Sequence, residues 1–162
     1  MPKFEFRLQP LLEKKKNETK EALNLLTERG REVAEAEAEL RSLQQREAEL
    51  AEEIRGKRHA LANAPVTSGE ELRARRDHIR AISQDLELAK DNTMAQGLVV
   101  EQARERENEA RANLAECRRQ EEILEKYRDK QAERFHRQQE QKEALELDEV
   151  GNTLYLNRRF NG

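Results

Sequence analysis

Apolar residues recur at every seventh position through most of this sequence, in two stretches that one short break separates. In the first stretch, one row spaced by seven comprises Leu12, Thr19, Leu26, Val33, Leu40, Glu47, Ile54 and Leu61. A companion row comprises Leu8, Lys15, Ala22, Arg29, Ala36, Leu43, Leu50 and Lys57. Rows with this offset are the a and d positions of a heptad repeat, which predicts a helix that packs on a second helix.

Composition fits a narrow seam better than a thick core. Charged residues make up 40% of the chain, aromatic residues make up 4%, and there is no Trp, whereas an ordinary globular domain has about 25% charged residues. Such a composition is typical of a disordered chain or of a coiled coil. The sustained heptad phase favours the coiled coil.

The break covers residues 63–69 and carries the signals of a turn between two helices. Pro65 cannot continue a helix, because it has no backbone N–H and restricts the residue before it. Ser68 followed three residues later by Glu71 is typical of a capping box at a helix start. A connection this short predicts an αα-hairpin.

The second stretch has the same two rows, and folding the chain at the break aligns them with the first. One row comprises Leu72, Ile79, Leu86, Thr93, Val100, Glu107, Leu114, Glu121, Arg128 and Phe135. The other comprises Ile82, Ala89, Gln96, Ala103, Ala110, Cys117, Leu124, Gln131, Gln138 and Leu145. The fold places Leu61 opposite Leu72 and Ile54 opposite Ile79, which indicates pairing within one chain.

We therefore predict an all-α, two-helix antiparallel coiled-coil hairpin that is monomeric rather than a parallel dimer. Its expected parts are helix one over about residues 4–62, the turn at 63–69, helix two over about 70–147, and a flexible tail at 148–162. Helix two is the longer, so the stretch from Arg128 to Leu147 is expected to have no partner within the chain. Three glycines inside the helices, Gly30, Gly56 and Gly97, indicate either tolerated surface positions or a soft bend.

No residue pattern of an enzyme or of a metal site occurs. The three histidines are scattered, no Gly-rich phosphate loop is present, and Cys117 falls in a heptad row, so we expect no catalytic residue, no cofactor and no metal. The lone cysteine favours a reducing cytosol. No apolar run approaches the roughly 20 residues that span a bilayer, so we expect a cytoplasmic protein without membrane insertion.

Charge and aromatic residues are unevenly distributed. Seven Lys or Arg and three Asp or Glu lie between Arg55 and Arg80, around the turn, whereas residues 28–53 hold four basic and nine acidic residues. All six Phe and Tyr residues fall near the two chain termini of the predicted hairpin: Phe4, Phe6, Tyr127, Phe135, Tyr155 and Phe160. The uneven charge distribution reflects either chance and the requirement for solubility, or two distinct ends of the hairpin that dock on partners. The aromatics are either interface anchors or, for Phe4 and Phe6, a staple at the helix start. The net charge of −3 argues against nucleic acid as a partner.

Two short motifs resemble the FliJ/YscO family, the coiled-coil stalk proteins of flagellar and type III secretion export ATPases. Residues 4–12, FEFRLQPLL, resemble the opening Phe-x-Phe-x-Leu-x-x-Leu-Leu of that family, and residues 140–149, EQKEALELDE, resemble its acidic ending. The resemblance implies a non-enzymatic stalk and export chaperone, peripheral to a membrane-embedded secretion apparatus. The implied partners are a hexameric export ATPase, the cytoplasmic domain of an export gate membrane protein, and substrate chaperones.

The resemblance implies that the two ends of the hairpin bind different partners. The predicted contacts to the ATPase ring are Phe4, Phe6, Leu8, Leu11, Leu12, Lys14, Lys15, Tyr127 and Phe135. The predicted contacts to the export gate are Arg73, Arg75 and Arg76. Alternatives from other classes are a generic structural spacer or dimerising scaffold, an accessory subunit of an enzyme, and a nucleic-acid binder. Co-purification with a hexameric ATPase, as opposed to self-association alone, separates the stalk from the spacer.

Overall fold

The structure, a computed structural model, describes residues 3–63, 65 and 68–160. Its elements are two helices, α1 (Gln9–Asn63) and α2 (Gly69–Phe160). The helices pack against each other as an all-α antiparallel hairpin, so the predicted fold class is confirmed. The chain forms two compact units, one of Met1–Ala22 with Asn113–Gly162 and the other of Leu23–Ala112.

The heptad rows form the seam between the helices. Every buried hydrophobic side chain of the described residues belongs to one of the rows: Leu12, Ala22, Val33, Leu50, Ile54, Ile82, Ala89, Val100, Ala103, Ala110 and Leu114. No polar or charged residue in the described part of the chain is buried. Polar members of the rows, such as Lys15, Arg29 and Glu107, are half-buried, because their long stems cover the seam while their charged ends reach water.

Contacts within the unit Leu23–Ala112 confirm the predicted register. Leu50, Ile54, Ile82 and Ala89 form one buried cluster, and Ile79 packs against it. Further along, the Nε2 of Gln96 donates a hydrogen bond of 3.0 Å to the carbonyl oxygen of Ala36. Both contacts agree with the alignment that places Ile54 opposite Ile79.

The start of α2 follows the predicted capping signal. The Ser68 hydroxyl accepts a hydrogen bond of 3.2 Å from the backbone N–H of Glu71, which satisfies one of the N–H groups that a helix start leaves free. Asn63 and Gly69, which we assigned to the turn, are the last residue of α1 and the first of α2. Ala64, Val66 and Thr67 lie outside the described residues.

Helix α1 begins later than the predicted residue 4. It starts at Gln9, with Pro10 in its first turn, where proline is favoured because its N–H would have no partner in any case. Residues 3–6 have no helical structure. The heptad pattern could not show this boundary, because Phe4 and Phe6 are apolar whether or not they are helical.

Helix α2 ends later than the predicted residue 147. It continues to Phe160 because no proline interrupts it, and the lone Gly151 costs only about 1 kcal/mol relative to Ala. The Thr153 hydroxyl donates to the Glu149 carbonyl oxygen at 2.8 Å, and Arg158 and Arg159 lie in the last turn, where positive charge is favourable. Residues 148–160, expected as a tail, are therefore helical here, and residues 161 and 162 lie outside the described part. Whether the segment moves in solution stays a prediction.

The internal glycines occupy ordinary helical positions with free space around them. No atom lies within 4 Å of a Cβ built at Gly30, Gly56 or Gly97. No glycine of the described chain has a positive φ. These positions therefore favour tolerated surface glycines over a required bend.

We expect Gly97→Ala to raise the free energy of unfolding by about 1 kcal/mol, because alanine has the higher helix propensity and its methyl group meets no neighbour. Urea titration followed by circular dichroism measures the change, with Gly30→Ala as a second example. A lower stability in both variants would show that the glycines serve a bend.

We expect Val100→Asp to lower the free energy of unfolding by about 3 kcal/mol or more, because it places an unpaired charge in the seam. The neighbouring Val99→Asp is the matched control, since Val99 is 44% exposed whereas Val100 is 4% exposed. Leu40→Asp should behave like Val100→Asp. Thermal melting of the three variants tests this, and equal effects at residues 99 and 100 would contradict the assigned seam.

Candidate functional site

Aromatic side chains from the segment before α1 pack on α2 within the unit that contains the termini. The rings of Phe4 and Phe135 have centroids 5.8 Å apart, and those of Phe6 and Tyr127 are 6.0 Å apart. Both pairs are tilted, an arrangement that aromatic pairs prefer to a face-to-face stack. We call these four residues the terminal aromatic site.

The non-helical segment before α1 explains how two phenylalanines reach α2. Phe4 and Phe6 are half-buried, while their neighbours Lys3, Glu5 and Arg7 are exposed. This alternation is typical of a non-helical chain that presents every second side chain to a neighbouring surface. The late start of α1 therefore creates the site.

The aromatic pairs also correct the prediction that α2 lacks a partner from Arg128 onward. Arg128, Gln131 and Phe135 are half-buried, because Phe4 and Phe6 extend the packing beyond the start of α1. Every described residue from Gln141 to Phe160 is exposed. The unpartnered part of α2 thus begins later than expected and lies further along the chain.

The three leucines predicted as contacts differ in accessibility. Leu12 is fully buried, whereas Leu8 is 39% exposed and Leu11 is 41% exposed. Leu12 therefore belongs to the seam and offers no surface to a partner. Leu8 lines a groove together with Phe4, Phe6 and Tyr127, and Tyr127 is itself 45% exposed.

The lysines near this site differ in whether they form an ion pair within the chain. Lys15 Nζ lies 2.7 Å from Glu18 Oε2, and this hydrogen bond, with the positive charges of Lys15 and Lys14, lowers the pKa of Glu18 despite some desolvation. Lys16 Nζ lies 3.0 Å from Glu125 Oε1 and so joins α1 to α2. Lys14 is exposed, which leaves it as the lysine best placed to meet a partner.

The three arginines predicted at the turn also divide into paired and exposed. Arg75 is half-buried and its guanidinium donates to Glu71. Arg73 and Arg76 are exposed. We call Arg73, Arg75 and Arg76 the tip arginines. Arg73 and Arg76 carry the positive charges that are available to a partner.

The described residues contain neither a metal-binding cluster nor a membrane-spanning helix. No group of three or more His, Cys, Asp or Glu side chains there could hold a metal ion. Cys117 is half-buried, with its Sγ 3.9 Å from Asn113 Oδ1. No helix in the described part of the chain is long and apolar enough to cross a membrane.

Exposed apolar residues on α2 were missed by the sequence analysis, which followed the heptad rows. One group, Met94, Leu98 and Val99, is 44–74% exposed, and another, Leu147, Val150 and Leu154, is 57–73% exposed. The spacing of three and four residues in the second group was the available signal. The heptad rows end at Leu145 and predict nothing for the segment beyond it, which the sequence analysis expects as a tail.

Comparison with known proteins identifies the family. A search of curated proteins gave no match. Among solved structures, the chain is similar to CT670 from Chlamydia trachomatis, a protein described as a YscO homolog, with a TM-score of 0.80 and 18% identity over 99% of this chain and 100% of that one. At this identity the likeness shows the fold alone. The family model described as "Flagellar FliJ protein" matches residues 4–160, and the chain therefore belongs to that family.

Proposed function

We propose that the protein is a non-enzymatic stalk and coupling component of a bacterial flagellar or type III protein-export ATPase. Its terminal aromatic site and the adjoining residues insert into a hexameric ATPase ring, and the tip arginines contact the cytoplasmic domain of the export gate. It acts in the cytoplasm at the membrane-embedded apparatus, and as an export chaperone it meets substrate chaperones there. The observation that carries the proposal is the family match over residues 4–160.

The chemistry of the terminal unit, which is the unit of Met1–Ala22 with Asn113–Gly162, supports a protein partner rather than a small-molecule substrate. The half-buried Phe4 and Phe6 line a groove with the partly exposed Leu8 and Tyr127. Leu11, in the first turns of α1, is 41% exposed. A few apolar and aromatic anchors commonly supply most of the binding energy of an interface. Leu12 is fully buried, so the proposed contact surface contains Leu11 and excludes Leu12.

Positive charge near these anchors supports approach to an acidic ring. Lys14 is exposed beside Leu11, whereas Lys15 and Lys16 already pair with glutamates of this chain. Charges at the edge of an interface chiefly change the association rate and its dependence on salt. We therefore assign Lys14 to steering and Leu11 to affinity.

We expect Phe4→Ala combined with Phe6→Ala to reduce stimulation of the partner ATPase to less than about a tenth of the wild-type value, because aromatic anchors dominate such interfaces. ATP hydrolysis by the ATPase co-purified from the native cell is measured with wild-type or variant protein, and circular dichroism reports folding. Full stimulation by the folded double variant would move the contact elsewhere.

A second substitution tests the contact with the ATPase ring without changing the aromatic pairs. Leu11→Ala removes a side chain that is 41% exposed and leaves all four rings in place. Leu23→Ala removes one that is 43% exposed in the other unit. The proposal requires that Leu11→Ala lowers stimulation and that Leu23→Ala does not.

For the tip, we expect Arg73→Glu combined with Arg76→Glu to weaken binding to the gate domain about tenfold at low ionic strength and to spare ATPase stimulation. The effect should shrink as salt rises, because screening weakens contacts between exposed charges. Arg75 is left intact, since reversing it would also disturb Glu71.

The matched control is Arg118→Glu combined with Arg119→Glu, which reverses two exposed arginines in the terminal unit. Binding isotherms at several salt concentrations compare the two variants. Equal binding by the tip variant and the wild type at low salt would remove the tip arginines from the proposed interface.

A further inference from the structure

The last part of α2 has a helical conformation but no covering surface. Every described residue from Gln141 to Phe160 is exposed, although α2 remains helical to Phe160. Most helices in proteins gain their stability from packing of an apolar face. No described part of the hairpin covers this segment, so a covering surface has to come from outside the hairpin.

One face of the segment carries an apolar stripe bounded by opposite charges. Leu147, Val150 and Leu154 are 73%, 57% and 60% exposed. With Glu143 before them and Arg158 after them, they fall within about 80° of the helix circumference at about 100° per residue. The stripe is thus acidic at its beginning, apolar in its middle and basic at its end.

We propose that this stripe binds the same stripe of a second copy of the chain, in antiparallel orientation. A crossing between Val150 and Gly151 places Leu147 against the second copy's Leu154 and Glu143 against the second copy's Arg158. Two-fold symmetry repeats each contact. The charge sequence of the stripe is therefore complementary to itself only when one copy is reversed.

The glycine at the crossing point allows the two helices to approach closely. Gly151 has no atom within 4 Å of an added Cβ, so its surface is open, and the second copy's Val150 fits over it. A parallel in-register pair would instead place Glu143 against Glu143 and Arg158 against Arg158. Like charges opposed in this way disfavour the parallel arrangement.

The paired segments are short, so the association is weak. An interface formed by residues 143–158 of each copy falls below the size of stable complexes, about 1,200 Å². We expect a dissociation constant of about 10⁻⁵ to 10⁻³ M. The single chain still forms its own hairpin, and dimers appear only as concentration rises.

Sedimentation of the full chain at concentrations up to about 1 mM tests this proposal by covering that range. The wild type should pass from the mass of one chain to that of two. Glu143→Arg and Arg158→Glu should each weaken association about tenfold, and the two together should restore it to within about threefold, because the swapped charges again face each other. Glu149→Arg, on another face of the helix, should have little effect.

Apolar substitutions provide a second matched pair. Leu154→Asp should abolish association, whereas Leu156→Asp should retain it, since Leu156 is 49% exposed but lies on the opposite side of the helix from Leu147. A wild type that stays monomeric at about 1 mM, equal effects at residues 154 and 156, or no rescue by the charge swap would overturn the proposal. Protection of the segment only in the presence of the ATPase would assign the stripe to that partner instead. The sedimentation experiment contains no ATPase, so its failure leaves the proposed stalk function untouched.

Discussion

Burial of one narrow apolar seam between α1 and α2 is the interaction on which the other features of this protein depend. The buried hydrophobic residues of the described chain all belong to the heptad rows, and no polar residue there is buried. Each row member therefore contributes to a core that has no second layer to compensate for its loss. The thinness of this core also explains why a chain with 40% charged residues can fold, since most side chains of a two-helix hairpin remain in contact with water.

Ion pairs across the seam accompany this burial without replacing it. Arg104 and Glu37 approach to 2.6 Å, and Lys16 and Glu125 to 3.0 Å, yet the side chains are partly exposed and such pairs contribute about 1 kcal/mol or less. Opposite charges at these positions favour one register over its alternatives. Ion pairs within one helix, in contrast, determine which charges remain available to a partner. Lys15 and Arg75 pair with Glu18 and Glu71 of their own helices, whereas Lys14, Arg73 and Arg76 face solvent.

The unequal lengths of the two helices give the terminal unit two surfaces of different character. Where α1 has not yet begun, Phe4 and Phe6 cover α2 and form the terminal aromatic site. Beyond that site, α2 continues without cover and exposes the stripe of Leu147, Val150 and Leu154. The proposed ring contact uses the first surface and the proposed self-association uses the second, so the two functions can be separated by substitution.

The sequence by itself determined the hairpin, its register, the cap at Ser68 and the family motif at residues 4–12. These features can be predicted from the sequence because heptad periodicity, proline and capping residues act through local geometry. Only the tertiary structure decided that Phe4 meets Phe135, that Leu12 is buried while Leu11 is exposed, and that α2 remains helical to Phe160. Phe4 and Phe135 are far apart in sequence, and their contact depends on the path of the chain before Pro10 and on the surface that α2 offers. A local pattern shows that a side chain is apolar, but its neighbours across the fold determine whether it packs inside or remains available to a partner.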